Sequence, residues 1–140
     1  MSGSSNYKPL FFIILALAAV SERCVCGFSF FPKYHVHIIN RLSSNILFVH
    51  CRSADDDLGD QNLFGGGDYS FSFRENIFKT TLFTCDFQTG DNHGGSYRVF
   101  WDDLTDDCGN DNCIWSARDD GLYFTSRVKN GEYRFYSWEW

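Results

Sequence analysis

Beyond Val20 the sequence contains no apolar run long enough to cross a membrane, and nowhere does it contain a helix-length amphipathic stretch. Because a bilayer span needs about 20 consecutive apolar residues, we expect no stable membrane insertion. An Asn-x-Ser/Thr sequon is also missing, so no N-linked glycan is expected. Without helical periodicity, strands are the expected secondary structure.

Catalytic motifs are missing as well. There is no G-x-S-x-G, no H-E-x-x-H and no phosphate-binding loop, since the glycines at 65–67 are not followed by a lysine and a helix. The carboxylates crowd in polar loops, where solvation gives them no separate acid and base roles. We therefore predict that the protein is not an enzyme and requires no cofactor.

Positive charge is scarce. Twelve lysines and arginines oppose 18 aspartates and glutamates, which gives a formal net charge of −6. Non-specific affinity for nucleic acids comes mainly from basic side chains that displace counterions. We therefore do not expect a nucleic acid to be a partner.

An apolar leader opens the sequence. Residues 10–20, LFFIILALAAV, have the length of a secretory-signal core and are too short to span a bilayer. Small residues permit cleavage after Ala18, Ser21 or Gly27. We favour Gly27, because this cut leaves four cysteines, whereas a cut after Ser21 keeps all six. The expected organisation is a signal peptide at 1–27 and one secreted domain at 28–140.

Short aromatic and β-branched runs, separated by clusters of Gly, Asn, Asp and Ser, predict an all-β protein. In the clearest run, 69–74, Tyr69, Phe71 and Phe73 alternate with polar residues and should face the core. The predicted strands are 34–40, 46–52, 69–74, 80–88, 96–102, 113–118, 122–128 and 132–138. Because parallel neighbours need long connections, eight short strands without crossover helices predict an antiparallel β-sandwich stabilised by disulfides.

Four cysteines belong to the predicted domain. Cys51 and Cys85 share the parity of the apolar residues in their strands, so both should point inward. Cys108 and Cys113 flank a polar loop that can bring them together. Of the three possible pairings, we predict Cys51 with Cys85 and Cys108 with Cys113. A structural zinc site is the alternative, but the sequence lacks the two C-x-x-C pairs that would favour it.

Two acidic loops, 55–60 and 102–111, are the expected binding surfaces, because loops on a rigid sandwich often carry function. The candidate partner-binding residues are Asp55, Asp56, Asp57, Asp102, Asp103, Asp106 and Asp107. Concentrated negative charge can steer a basic partner. The competing interpretation is that these aspartates only keep an aromatic-rich protein soluble. Calcium binding is disfavoured, since neither loop has the ligand spacing of an EF-hand.

The histidines offer weaker possibilities. His35 and His37 lie two residues apart on a predicted strand and could bind a metal together, although a solvated strand face is the simpler interpretation. His50 adjoins Cys51, but a disulfide-bonded cysteine has no thiolate to activate. His93 is predicted to be exposed in a glycine-rich loop. We therefore assign no metal site.

Several segments, in this order, resemble the plant self-incompatibility S1 proteins, also called S-protein homologues. They are VHIINRL at 36–42, HCRSADDDLG at 50–59, DYSFSFREN at 68–76, TTLFTCDF at 80–87 and CIWSARDDGLYF at 113–124. The resemblance covers nearly the whole predicted domain, and the family pattern contains the four cysteines assigned above.

The resemblance implies a secreted plant β-sandwich. Founding members of the family are secreted by the stigma and reject self pollen. The resemblance therefore predicts an extracellular recognition ligand that is a monomer and binds a cell-surface protein receptor. A secreted defence or inhibitor protein that binds a hydrolase or a microbial target is the alternative. Expression confined to the pistil would favour the first role, and induction by wounding or infection would favour the second.

Overall fold

The structure is a computed structural model that describes residues 32–140, and these form nine strands and one short 3-10 helix. The strands are β1 (Lys33–Asn40), β2 (Leu47–Arg52), β3 (Asp57–Leu63), β4 (Asp68–Arg74), β5 (Phe83–Thr89), β6 (Gly94–Phe100), β7 (Asn112–Arg118), β8 (Gly121–Ser126) and β9 (Gly131–Ser137). The helix, Asp102–Asp107, lies between β6 and β7. The predicted signal peptide at 1–27 lies outside the described residues. Within 32–140, no helix has the length and apolarity needed to span a bilayer.

All eight predicted strands are present, and β3 is an additional one. Its sequence, DLGDQNL, is polar apart from Leu58 and Leu63, so it shows no alternating pattern and was expected to continue an acidic loop. β3 forms one edge of its sheet, beside β2. An edge strand tolerates this composition, because backbone hydrogen bonds to its neighbour hold it in place.

The strands form two sheets, with the orders β4-β1-β7-β8-β9 and β3-β2-β5-β6. The predicted all-β sandwich is confirmed, and one neighbouring pair departs from the antiparallel pattern. β1 and β7 are parallel, with Val36 opposite Cys113. This pairing is possible because strands β2 to β6 lie between them in the chain and supply the long connection that a parallel pair needs.

Aromatic side chains make up much of the core between the sheets. Trp115 on β7 is fully buried, and its Nε1 donates a 2.9 Å hydrogen bond to the carbonyl oxygen of Val99. The ring of Phe73 on β4 lies 4.5 Å, between centroids, from the rings of Phe83 and Phe100. The alternation predicted for β4 is confirmed, with its aromatic residues half-buried and the residues between them exposed. Large rings allow two small sheets to share a sufficient core.

Two disulfide bonds stabilise different parts of the sandwich. Cys51 on β2 is bonded to Cys85, which faces it on β5, with a Cα–Cα distance of 4.0 Å. Cys108 is bonded to Cys113 across the connection from the 3-10 helix to β7, with a Cα–Cα distance of 4.7 Å. These are the pairs chosen from the sequence, and cysteines bonded in this way are not available to ligate zinc.

Candidate functional site

Four connecting segments meet at one end of the sandwich. β2 and β6 run in the same direction because each is antiparallel to β5, so both strands finish at the same end of the sheet. The connection after β6 leads to the start of β7, which is where β4 and β8 end. We call this region the loop end, and it consists of residues 53–56, 75–82, 101–111 and 127–130.

The fold brings the predicted acidic segment 102–111 and the first residues of the segment 55–60 to the loop end, whereas the prediction of a loop is wrong for 57–60, which lie on β3. Asp55 and Asp56 lie in the β2–β3 turn, while Asp103 and Asp106 lie on the 3-10 helix, and all four are exposed. Asp57, also exposed, is the first residue of β3. The strands that lead into the two segments, β2 and β6, are two inter-strand spacings apart, which is about 10 Å.

Asp107 has a structural task at the loop end. Its Oδ1 accepts a 2.6 Å hydrogen bond from the Ser126 hydroxyl and a 2.8 Å hydrogen bond from the backbone N–H of Val128. Its carbonyl oxygen accepts a 3.0 Å hydrogen bond from the N–H of Arg127. Asp107 thus ties the 3-10 helix to the β8–β9 turn, and its carboxylate is already engaged within the protein.

Asp57 is also engaged, with His50. The Nε2 of His50 lies 2.5 Å from an Asp57 carboxylate oxygen, and its Nδ1 lies 2.7 Å from a carboxylate oxygen of Asp60. The hydrogen bonds that the His50 ring donates to Asp60 and Asp57 raise the pKa of His50. Hydrogen bonds from the Gly59 N–H and from His50 lower the pKa of Asp57. His50 therefore holds a position between two carboxylates, on the opposite face of β2 from the disulfide of Cys51.

Asp102 adjoins a carboxyl group that no motif marked. Glu75 follows β4, is almost fully buried, and its Oε1 has no hydrogen-bond partner among the described residues. Desolvation, together with the hydrogen bond and charge of Asp102, raises the pKa of Glu75 to about 7. The sequence does carry one indication that Glu75 is buried. Glu75 follows Phe71 and Phe73 at the same two-residue spacing, so it continues the inward-facing positions of β4.

Exposed apolar side chains also lie at the loop end. In the segment 75–82, Ile77 is 66% exposed, Phe78 is 78% exposed and Leu82 is 41% exposed. Their exposure could not be predicted from the sequence, because apolar residues outside an alternating run have no pattern that distinguishes exposed from buried positions. A cleft of about 540 Å³ lies between this segment and the β2–β3 turn, with Leu82 and Asp55 among its lining residues. Apolar and acidic groups thus share one surface.

The other histidines have partners within the protein. On β1, His35 Nδ1 lies 2.5 Å from the Ser72 hydroxyl, and His37 Nε2 lies 2.8 Å from the Asn112 side-chain oxygen. His93 is exposed in the β5–β6 turn, as predicted. Residues 32–140 contain no group of three or more His, Cys, Asp and Glu side chains that could hold a metal ion.

Comparisons with known sequences all indicate one family. A family model described as plant self-incompatibility protein S1 matches residues 35–138. The chain is 39% identical over 117 residues to Self-incompatibility protein S1 of Papaver rhoeas, with 81% of each chain covered. It is 38% identical over 110 residues to S-protein homolog 1 of Arabidopsis thaliana, with 76% of this chain and 72% of that protein covered.

A solved structure is similar to this fold. It is a self-incompatibility protein homologue, from a family described as small, highly stable, secreted proteins from plants. The TM-score is 0.62 at 24% sequence identity, with 78% of this chain and 96% of that chain covered. At this identity the likeness bears on the fold alone.

Proposed function

We propose that this chain, which belongs to the plant self-incompatibility protein S1 family, acts as a recognition ligand that binds a cell-surface protein receptor through its loop end. Its site of action would be outside the cell, since the plant self-incompatibility protein homologues are described as secreted. We propose binding rather than catalysis as its task. The poppy and Arabidopsis relatives support the family, and the assignment of the receptor surface rests on the contacts described above.

The observation that carries this proposal is the exposed apolar segment at the loop end. Ile77 and Phe78 are more than half exposed, and such side chains are energetically costly to leave in water unless a partner covers them. Protein interfaces usually combine a small apolar centre with a polar rim. Here the apolar segment would form the centre and the nearby carboxylates the rim.

The exposed aspartates define the charge of the expected receptor surface. Asp55, Asp56, Asp103 and Asp106 are exposed at the loop end, in a protein with a net charge of −6. Rim charges of one sign attract an oppositely charged partner and mainly increase the association rate. We therefore expect a basic receptor surface, with binding that weakens as salt screens the charges.

Binding of labelled protein to plant plasma-membrane vesicles tests the apolar centre. I77S/F78S should weaken saturable binding at least about tenfold, because the removed side chains would anchor the interface. F64S is the matched control, since Phe64 is 72% exposed but lies in the β3–β4 turn at the opposite end of the sandwich. Equal binding by I77S/F78S and wild type would reject the loop end, and binding that survives protease treatment of the vesicles would reject a protein receptor.

The charge part of the proposal has its own variant. D55N/D56N/D103N/D106N removes the exposed charges but keeps Asp102 and Asp107, which have structural partners. Its association rate should fall severalfold at low salt and approach the wild-type rate at high salt. The variant D102N/D103N/D106N/D107N, which changes only the 3-10 helix, should behave similarly but also lose stability. Unchanged association at low salt would show that the aspartates serve solubility only.

A further inference from the structure

The outer face of the four-stranded sheet is a second surface, distinct from the loop end. Strand register arranges its outward side chains in rows across the sheet. The first row contains Asn62, Phe48 and Gln88, and the second contains Asp60, His50, Asp86 and Ser96. A cleft of about 720 Å³ lies over both rows. Side chains from all four strands of this sheet and from the segment after β9 therefore converge on one cavity.

Two exposed aromatic rings border this cleft. Phe48 is 40% exposed and Trp140 is 59% exposed. The N–H and carbonyl groups of Trp140 each form a 3.4 Å hydrogen bond with Gly94, the residue opposite Gln88 in the first row. A Cβ atom at position 94 would clash with the Phe87 carbonyl oxygen and lie 3.1 Å from the Trp140 indole, so glycine is required by the neighbouring backbone and also leaves room for the ring. Gln88 thus lies between two aromatic positions.

The charged groups of the cleft are engaged in ion pairs with one another. Arg52 Nη1 lies 2.8 Å from Asp86 Oδ2, and the Ser96 hydroxyl donates to the other oxygen of Asp86. His50 contacts both Asp57 and Asp60. Even with His50 protonated, two positive charges face three carboxylates, so the small negative balance of the cleft and the net charge of −6 both oppose an acidic ligand. The cleft suits a ligand that is polar but neutral.

Carbohydrates combine the two properties that this surface requires. A sugar ring has an apolar face of C–H groups that can lie against an aromatic ring, and it has hydroxyl groups at its rim that pair with amides and carboxylates. Binding sites usually combine apolar walls with a few placed polar groups, as here. Phe48 lies on β2, and Trp140 contacts Gly94 on β6. These two strands are two inter-strand spacings apart, about 10 Å, so a chain of a few linked sugars can reach both rings.

We infer that the outer face of the four-stranded sheet binds an extended, neutral polysaccharide chain, with Phe48 and Trp140 as stacking surfaces and with Asn62 and Gln88 as hydrogen-bonding groups. If the protein acts outside a plant cell, as proposed above, such a chain is available in the surrounding wall. This surface would hold the protein in the wall while the loop end stays open to a receptor.

Titration with cellohexaose and mannohexaose, followed by NMR and calorimetry, tests the inference. The indole N–H signal of Trp140 and the side-chain amide signals of Gln88 should shift with at least one of the two sugars. F48A and W140A should each weaken that binding about tenfold, since each removes one ring. V128A is the control, because Val128 is 70% exposed in the β8–β9 turn at the opposite end of the sandwich, and its affinity should equal that of wild type.

Several results would overturn the inference. They are an absence of shifts with both neutral sugars at millimolar concentration, equal weakening by V128A and F48A, or tighter binding of hexagalacturonate, which is acidic. If W140A unfolds, Q88L replaces it, because Gln88 is exposed and its side chain is not part of the core. I77S/F78S should bind the sugar normally, which separates this surface from the proposed receptor site.

Discussion

Aspartates on the outer face of the four-stranded sheet and aspartates at the loop end have opposite surroundings. On the sheet, Asp86 is paired with Arg52, and Asp60 is paired with His50. On the 3-10 helix at the loop end, Asp103 and Asp106 are exposed. Register places side chains of neighbouring strands about 5 Å apart, so opposite charges meet there, whereas a short helix or a turn provides no such row of partners. Similar residues are thus neutralised on one surface and remain available on the other.

The disulfide bonds should show the largest difference between the two regions. C51A/C85A removes the bond beneath the sheet face, and C108A/C113A removes the bond at the loop end. The sequence separations are 34 and 5 residues, so the entropy model predicts losses of about 4 and about 2 kcal/mol in the free energy of unfolding. Denaturant unfolding measures both. Equal losses would show that loop entropy is not the main origin of the stabilisation.

Glu75 should make the stability of the loop end depend on pH. Its ordinary pKa of 4.5 is raised to about 7 in the folded protein, so between these values the folded state holds a proton that the unfolded state has released. The free energy of unfolding should therefore fall as pH rises through this window, by up to about 3 kcal/mol.

E75Q isolates this effect, because glutamine cannot ionise. The difference in stability between wild type and E75Q should change between pH 4.5 and about 7 and be constant above it. E132Q is the control, since Glu132 is half-exposed on β9 and paired with Arg118. A wild-type profile parallel to that of E75Q would show that Glu75 titrates normally.

Two neighbouring aspartates of the 3-10 helix should differ in their contribution to stability. D107A removes two hydrogen bonds to the β8–β9 turn and should cost about 1–2 kcal/mol. D106A should change stability by less than about 0.5 kcal/mol, because its side chain is exposed and the contact with Arg127 uses its backbone carbonyl. Thermal unfolding of both variants measures the difference. Equal costs would remove the distinction between structural and available aspartates.

The smallest expected effect concerns His50 on the sheet face. NMR titration of its imidazole should give a pKa above the ordinary value of 6.5, because Asp60 and Asp57 stabilise the charged ring. D60N should lower this pKa, since Asp60 makes the larger contribution. D55N is the control, because Asp55 is exposed in the adjacent turn. An unchanged pKa in D60N would show that the carboxylates do not hold the ring in solution.

Local patterns account for what could be predicted. The alternation in YSFSFR and the parity of Cys51 and Cys85 follow from the two-residue repeat of a strand, which is visible in any short segment. β3 was missed because an edge strand does not need that repeat. Ile77 and Phe78 were missed because exposure depends on what packs against a residue, and this is not a property of its neighbours in sequence.

The candidate site was predicted in composition but not in arrangement. All seven aspartates were identified from the sequence, yet their division into exposed and engaged side chains depends on partners far along the chain. Asp107, for example, accepts hydrogen bonds from the β8–β9 turn, and Asp102 lies beside Glu75. Nothing in the acidic segments themselves distinguishes these two from Asp103 and Asp106.

By itself, the sequence determined the all-β class, eight of the nine strands and membership of the S1 family. Only the tertiary structure decided that β1 and β7 lie side by side in parallel, that two acidic segments share one end, and that Phe48, Gln88 and Trp140 border one cleft. The physical reason is the separation along the chain of the residues that determine each property. Burial repeats every two residues along a strand, whereas adjacency depends on the register and order of strands that are distant in sequence.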